Sequence, residues 1–439
     1  MAMSQLLRAG RIHHGNVCAA ALPRCIGQFH TSMCPAPAQS SFTALLPRRT
    51  CASQALRLAS TSLSEEEEMM RDHVAKFAQE VLAPRAQAMD EAGVMDPEVV
   101  AALFEQGLMG IEAPPEYGGS GMSFTQACIA VEEIARVDPA VAVLMDIQNT
   151  LLITAFNTYG TAAQKEKYLS RLSTDTVASF CLSEPGSGSD AFALKTRATR
   201  CGDEWILEGS KCWISNSIEA GVFVVFANAD PSKGHKGITC FIVEKENPGL
   251  KIGKKENKLG IRASSTCEVV FEDCRIPADA VLGEVGKGYK MAIELLNEGR
   301  IGIGAQMVGL ARGAYDYALS YMLTRKQFGR PVADFQGMQF QYARARVEIE
   351  AARVLVYNAA RLKESGVPFV KEAAMAKLKA SEVAQDTASQ CIDWLGGVGF
   401  TKEFIAEKYY RDAKIGTIYE GTSNIQLATI AKLERALYE

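Results

Sequence analysis

The strongest constraint on this chain is a change of apolar period partway along it. Short β-rich runs begin near Ser179: Trp205-Ile206-Leu207, Val222 to Phe226, and Ile238 to Val243. Gly, Asn, Asp and Pro clusters separate them, the rhythm of a small antiparallel β domain. On either side, apolar residues recur at helical spacing instead. Ser64 with Glu67 has the capping-box pattern of a helix start. Met70, Val74, Phe77 and Val81 then share one helical face. From Gly288 onward long amphipathic segments return, including Arg344 to Lys363 and Val370 to Leu395, with short Gly-containing breaks. Strand-period and helix-period blocks cannot share one layer. The reading is therefore an α+β chain in several parts: helical over 61–178, β over 179–284, and a helical bundle over 285–439.

Residues 1–60 read differently. The first 64 residues hold six arginines, no lysine and no acid. Arg-rich, Ser-rich and acid-poor, this segment reads as a mitochondrial transit peptide and linker. The rest keeps 41 basic against 51 acidic residues. That balance argues against a nucleic-acid partner, which would need a basic footprint. The 12 cysteines form no C-x-x-C pair, and only His73 and His235 lie outside the leader, so a metal site is not expected. No apolar run reads as long enough to span a bilayer.

Gly186-Ser187-Gly188-Ser189-Asp190-Ala191 matches a dinucleotide fingerprint, with Glu208 at a suggestive distance. That pattern means something only where it opens a helix inside a βαβ unit. Here a β-rich hairpin region follows, and no crossover helix fits. What survives is a Gly-rich loop whose free N–H groups can bind phosphate or a flavin edge.

Four segments, in this order and spacing, carry a specific resemblance. They are Phe180-Cys181-Leu182-Ser183-Glu184-Pro185-Gly186-Ser187-Gly188-Ser189-Asp190, Lys211-Cys212-Trp213-Ile214-Ser215-Asn216, Arg325-Lys326-Gln327-Phe328-Gly329-Arg330-Pro331, and Ile418-Tyr419-Glu420-Gly421-Thr422-Ser423-Asn424-Ile425-Gln426. Together they resemble the acyl-CoA dehydrogenases, nearest to the branch specific for short and branched chains, over everything from about Ser64 onward. The resemblance implies an N-terminal helical domain, a middle antiparallel β-barrel domain and a C-terminal four-helix bundle. It also implies FAD held partly across a subunit interface, a homotetramer, electron-transfer flavoprotein as electron acceptor, and a mitochondrial matrix location.

The implied reaction removes the α-proton of a saturated acyl-CoA to a base and its β-hydrogen as hydride to the flavin. The product is the trans-2-enoyl thioester. Glu420 matches the family's base. Such a carboxylate starts near 4.3 in water and must be raised by burial. Some relatives place the base on an earlier helix, at the position of Gly299 here, which has no side chain to act. Asn297, Glu298, Gly299 and Arg300 are implied near the substrate, with Glu298 the rival base, although one residue along a helix turns a side chain by about 100°. Trp213, Ile214 and Ser215 resemble the segment that packs on the flavin. Phe180 to Ser189 resemble its loop contacts, with Ser189 also on the CoA side. Arg325 resembles an arginine that reaches the FAD pyrophosphate of a neighbouring subunit, and its fork suits phosphate. Phe328, Gln336, Asp393, Trp394, Leu395, Gly396, Gly397, Thr422, Ser423 and Asn424 match further FAD contacts. The family usually has Gln where this chain has Asp393. His235 and Tyr289 fall where relatives meet CoA or acyl groups. Implied substrates are 2-methylbutyryl-CoA, isobutyryl-CoA and butyryl- to hexanoyl-CoA, from isoleucine and short-chain fatty acid breakdown. An acyl-CoA oxidase and a catalytically silent flavoprotein scaffold are the alternatives.

Overall fold

The computed structural model describes residues 62–439, so the leader reading lies outside the described residues. Helix α1 (Glu65–Phe77) starts at the expected capping box. Ser64 Oγ accepts from the Glu67 N–H at 3.2 Å, and Glu67 Oε2 accepts from the Ser64 N–H at 2.9 Å. Met70, Val74 and Phe77 are buried and Val81 half-buried, as their spacing predicts. Helices α2 (Ala83–Ala92), α3 (Pro97–Glu105) and α4 (Phe124–Ala135) follow. Then α5 (Pro139–Asp146) runs through a π-turn, Ile147–Ile153, into α6 (Thr154–Tyr159).

This last run corrects one expectation. Residues Pro139–Tyr159 are long and apolar enough to cross a membrane, but 94% of the apolar window is buried inside the protein. A helix that is hydrophobic all round is a core helix when other elements surround it. Its polar side chains bind backbone carbonyls of neighbouring segments. Asn149 Nδ2 donates to the Leu108 carbonyl at 2.8 Å, and Gln148 Nε2 donates to the Leu172 carbonyl at 2.8 Å and the Thr176 carbonyl at 2.9 Å.

The middle region is one eight-stranded sheet: β1 (Val177–Cys181), β2 (Arg197–Cys201), β3 (Glu204–Ser215), β4 (Ala220–Asn228), β5 (Ile238–Glu244), β6 (Leu250–Lys255), β7 (Thr266–Pro277) and β8 (Val281–Leu282). The order is β6-β7-β3-β2-β4-β5-β8, with β1 on β4. The pairings are antiparallel except β1–β4 and the single β2–β4 contact, which are parallel. Strand β4 shows no polar alternation because both its faces are covered. Val222, Val224 and Phe226 join a core with Leu151, Phe156 and Leu295 of the helices. Phe223, Val225 and Ala227 face the sheet's own core with Phe241 and Phe271.

Four longer helices form the C-terminal region: α7 (Gly288–Thr324), α8 (Gln336–Glu364), α9 (Val370–Leu395) and, after the short α10 (Ala406–Ala413), α11 (Ser423–Arg435). Between α7 and α8 lies a small hairpin, β9 (Lys326–Gln327) with β10 (Arg330–Pro331). Helix α7 crosses α4 closely. A Cβ at Gly309 would collide with the Glu132 carbonyl, so only glycine lets the backbones approach this far. Lys408 of α10 is buried between Asp138 Oδ1 at 3.0 Å and Asp412 Oδ2 at 2.6 Å, tying the start of α5 to α10.

Candidate active site

Glu420 sits in the connection between α10 and α11, in left-handed backbone at φ 51°, followed by Gly421 at φ 86°. Such a conformation is costly for a residue with a side chain and persists where surrounding contacts over-determine it. Among the described residues, six that are not glycine have positive φ: Trp213, Asn216, Ile261, Asp273, Phe328 and Glu420. Half of them (Trp213, Phe328 and Glu420) are residues the sequence had singled out for chemistry.

The Glu420 carboxylate points at Gly299 of α7. A Cβ built at 299 would lie 3.1 Å from Glu420 Oε2 and 3.1 Å from Leu151 Cδ2. Glu420 and Gly299, the two positions that the resemblance offers for a base, thus meet at one spot, where Glu420 brings the side chain. Glu420 Oε2 is buried and has no hydrogen-bond partner. Burial pushes this carboxyl up to about 7, against the pull of the Arg300 and Lys377 cations. Arg300 donates from Nη1 to Asn297 Oδ1 at 2.9 Å, and its buried Nε is unpartnered.

Glu298, the rival base, is turned elsewhere. It pairs with Lys363 Nζ at 3.2 Å, which also holds Glu112 at 3.3 Å. Two neighbours escaped sequence reasoning. Asp146 is buried, receives the Thr150 hydroxyl at 3.2 Å, and is raised well above the carboxylate range by burial and by the Glu420 charge. Its signal was an acid inside the otherwise apolar run from Val141 to Ile147. Lys377 is fully buried on α9 and donates to the Gly421 carbonyl at 2.8 Å. Its signal was a lysine on the alanine-rich face shared by Ala373, Ala380 and Ala384.

The Gly-rich loop runs into β2, and no helix follows it. Its first part turns inward. Phe180 packs on Phe226 at 5.0 Å between ring centroids. Cys181 is buried in the sheet core, where burial pushes its thiol up to about 12. The Leu182 side chain is also buried. Glu184 is bound to Lys211 Nζ at 2.7 Å and to the Lys195 and Thr196 N–H groups, so its side chain is already fully used. Ser187 Oγ donates to the Asp190 carbonyl at 2.7 Å. Ser183 is half-buried, whereas Pro185, Gly186, Gly188 and Ser189 are exposed.

Beside this loop, β3 bulges between Lys211 and Ile214. The bulge swings Trp213 outward at φ 60°, leaving it 64% exposed, while Ile214 is buried and Ser215 half-buried. A Cβ at Gly186 or Gly188 would meet nothing, so the loop borders open space. A flat ring system fits an exposed indole beside such a loop.

The remaining predicted residues differ in exposure and place. Arg325, Gln336, Asp393, Gly396 and Gly397 are exposed, and Phe328 on the β9–β10 hairpin is 94% exposed. Trp394 and Leu395 are buried, with the Trp394 indole N–H donating to Gln341 Oε1 at 3.0 Å. Thr422 caps α11, and Ser423 and Asn424 open its first turn. Elsewhere, Tyr289 packs between Phe192 at 4.3 Å and His235 at 4.5 Å, an aromatic trio that spacing did not foretell.

Fold and site together define a class: a helical–β–helical protein with a buried carboxyl able to accept a proton near neutral pH. The acyl-CoA dehydrogenase N-terminal, middle and C-terminal domains match residues 64–176, 179–274 and 286–433. The chain belongs to the acyl-CoA dehydrogenase family, whose cofactor is FAD. It is 60% identical to a probable short/branched chain specific acyl-CoA dehydrogenase of Dictyostelium discoideum, over 85% of this chain and 90% of that one. It is 52% identical to the short/branched chain specific acyl-CoA dehydrogenase, mitochondrial, of Bos taurus, over 99% of each. Among solved structures, butyryl-CoA dehydrogenase from Megasphaera elsdenii superposes with a TM-score of 0.83 at 40% identity, covering 86% of this chain and 99% of that one.

Proposed function

We propose that this protein catalyses the FAD-dependent α,β-dehydrogenation of short and 2-methyl-branched acyl-CoA thioesters, with Glu420 as the base. The observation that carries this reading is the partnerless, buried Glu420 Oε2 against Gly299. A buried polar atom without a partner needs a reason, and a proton acceptor held free for substrate supplies one. Arg300 keeps the carboxylate available by opposing its protonation. Glu298 Oε2 is also buried without a hydrogen bond, but it stands 3.2 Å from the Lys363 ammonium, an ion pair it would have to break to act as the base, which makes it the poorer candidate. FAD, when bound, supplies the two-electron acceptor for the substrate's β-hydrogen. Trp213 and Ser215 would hold the flavin ring, with the Ser183–Ser189 loop at its edge. The exposure of Arg325, Phe328, Gln336 and Asp393–Gly397 supports their meeting FAD of a neighbouring subunit in a homotetramer.

The names of the Dictyostelium and Bos taurus relatives support short and branched acyl chains, for which 2-methylbutyryl-CoA, isobutyryl-CoA and butyryl- to hexanoyl-CoA are the proposed substrates. The Bos taurus relative is named a mitochondrial protein, and with it we propose a place in isoleucine and short-chain fatty acid breakdown in the mitochondrial matrix, with electrons passing to electron-transfer flavoprotein. The relatives do not favour an oxidase or a silent scaffold. Anaerobic mixing of the FAD-loaded protein with 2-methylbutyryl-CoA tests the reading. Rapid loss of flavin absorbance is expected. Bleaching by butyryl-CoA alone would keep the family and remove the branched-chain assignment.

Two further results are expected. A base must be ionised to act, and Glu420 lies near 7. Flavin reduction should therefore rise with pH and level off, running roughly tenfold slower at pH 6 than at pH 8. A flat profile across that range would remove Glu420 as the titrating base. The second concerns the trio of Phe192, His235 and Tyr289, which presents the kind of surface on which an adenine ring stacks. Tyr289→Ala should raise KM for acyl-CoA by roughly three- to tenfold, with kcat nearly unchanged. The same variant should match the parent on an acyl-pantetheine, which lacks the adenosine. Equal losses on both substrates would move the trio away from the nucleotide.

A further inference from the structure

We infer that Lys377 is a positioning residue for Glu420: its ammonium clamps the left-handed Glu420–Gly421 turn through the Gly421 carbonyl and sets a positive charge beside the base. The inference rests on the reading of Glu420 as the base. Three lysines of the described residues are buried: Lys211, Lys377 and Lys408. Lys211 pairs with Glu184 and Lys408 with two aspartates. Among the described residues, no carboxylate lies within ion-pairing distance of Lys377. Its Nζ instead meets the Gly421 carbonyl at 2.8 Å. A buried ammonium without an ion pair is costly, so a structural tie alone is a weak reason to keep one.

The turn it holds is strained, and Gln426 holds it as well. Gln426 Nε2 donates to the Glu420 carbonyl at 3.0 Å and the Gly421 carbonyl at 2.9 Å. Three hydrogen bonds onto two successive carbonyls over-determine a conformation a glutamate would otherwise leave. The carboxylate's direction toward Gly299 follows from that backbone. The charges around the pair are few. Arg300 of α7 and Asp146 of α5 face Glu420, with Tyr419 beside it; Arg300 and Glu420 face Lys377. Burial pulls Lys377 down to about 8 while Glu420 holds its proton on, so it remains an ammonium at neutral pH.

The test is the rate of flavin reduction against pH, in single-turnover anaerobic mixing with the preferred acyl-CoA. It uses FAD-loaded parent, Lys377→Gln, Lys377→Met and Glu420→Gln. Lys377→Gln keeps a donor for the carbonyl and loses the charge, so its acid limb should move up by about one pH unit with the high-pH plateau nearly kept. Lys377→Met loses both, so its limb should move likewise and its plateau fall by roughly ten- to a hundredfold. Should Lys377→Met not fold, the limb of Lys377→Gln decides alone. An unmoved limb in both, with only melting temperature or FAD content reduced, overturns the inference and leaves Lys377 a structural tie. Parental reduction by Glu420→Gln would instead remove the base assignment beneath it.

Discussion

Glu420→Gln is expected to abolish rapid flavin bleaching while leaving FAD binding and the fold in place. Glutamine preserves the shape of the side chain and the strained turn, since Lys377 and Gln426 bind backbone carbonyls there. What it removes is the proton acceptor at the one point where α7 makes room for it, opposite Gly299. A positioned base contributes roughly 10²–10⁴-fold, and the loss in reduction rate should fall in or above that range. Binding of the acyl-CoA product should persist, which separates a lost base from a lost pocket. If the variant bleaches at the parental rate, the base lies elsewhere. Glu298 would then be next, although it would first have to leave Lys363.

Lys408→Met is expected to have the largest effect on stability, with no direct part in the chemistry. Lys408, Asp138 and Asp412 are all buried, and Asp412 also receives the Ile261 N–H from the middle region. Removing the cation leaves two carboxylates facing each other without compensation. Breaking a buried ion pair from one side costs about 3–5 kcal/mol, far more than the pair is worth against an apolar replacement. Calorimetry of the FAD-loaded protein should show a clear drop in melting temperature. Adding Asp138→Asn and Asp412→Asn to Lys408→Met should recover part of it, because the uncompensated charges go. A melting temperature that hardly moves in the single variant would show that the aspartates are not held ionised by Lys408.

Much of the fold was legible because its signals are local. The capping box at Ser64 and Glu67 predicts a helix start from four residues, and the hydrogen bonds fall where that pattern puts them. The dinucleotide fingerprint at Gly186 lacks the helix that would give it meaning, and β2 follows it. The run Pro139–Tyr159 is longer and more apolar than the sequence reading allowed, yet an apolar helix inside a protein and one inside a bilayer share a composition; only the packing around it shows that it belongs to the core.

The site divides along the same line. Glu420, Gly299, Trp213 and Phe328 could be named from motifs, since residue type and local spacing carry that information. The sequence alone therefore determined the family, the three-part order of elements and the candidate base. It could not show that Glu420 and Gly299, 121 positions apart in the sequence, meet within contact distance. Nor could it show that Glu298 is tied to Lys363, that Asp146 is buried near the base, or that Lys377 ends on the Gly421 carbonyl. Proton affinity is set by burial and by charges brought in from distant segments, so it belongs to the tertiary structure and to no single stretch of chain.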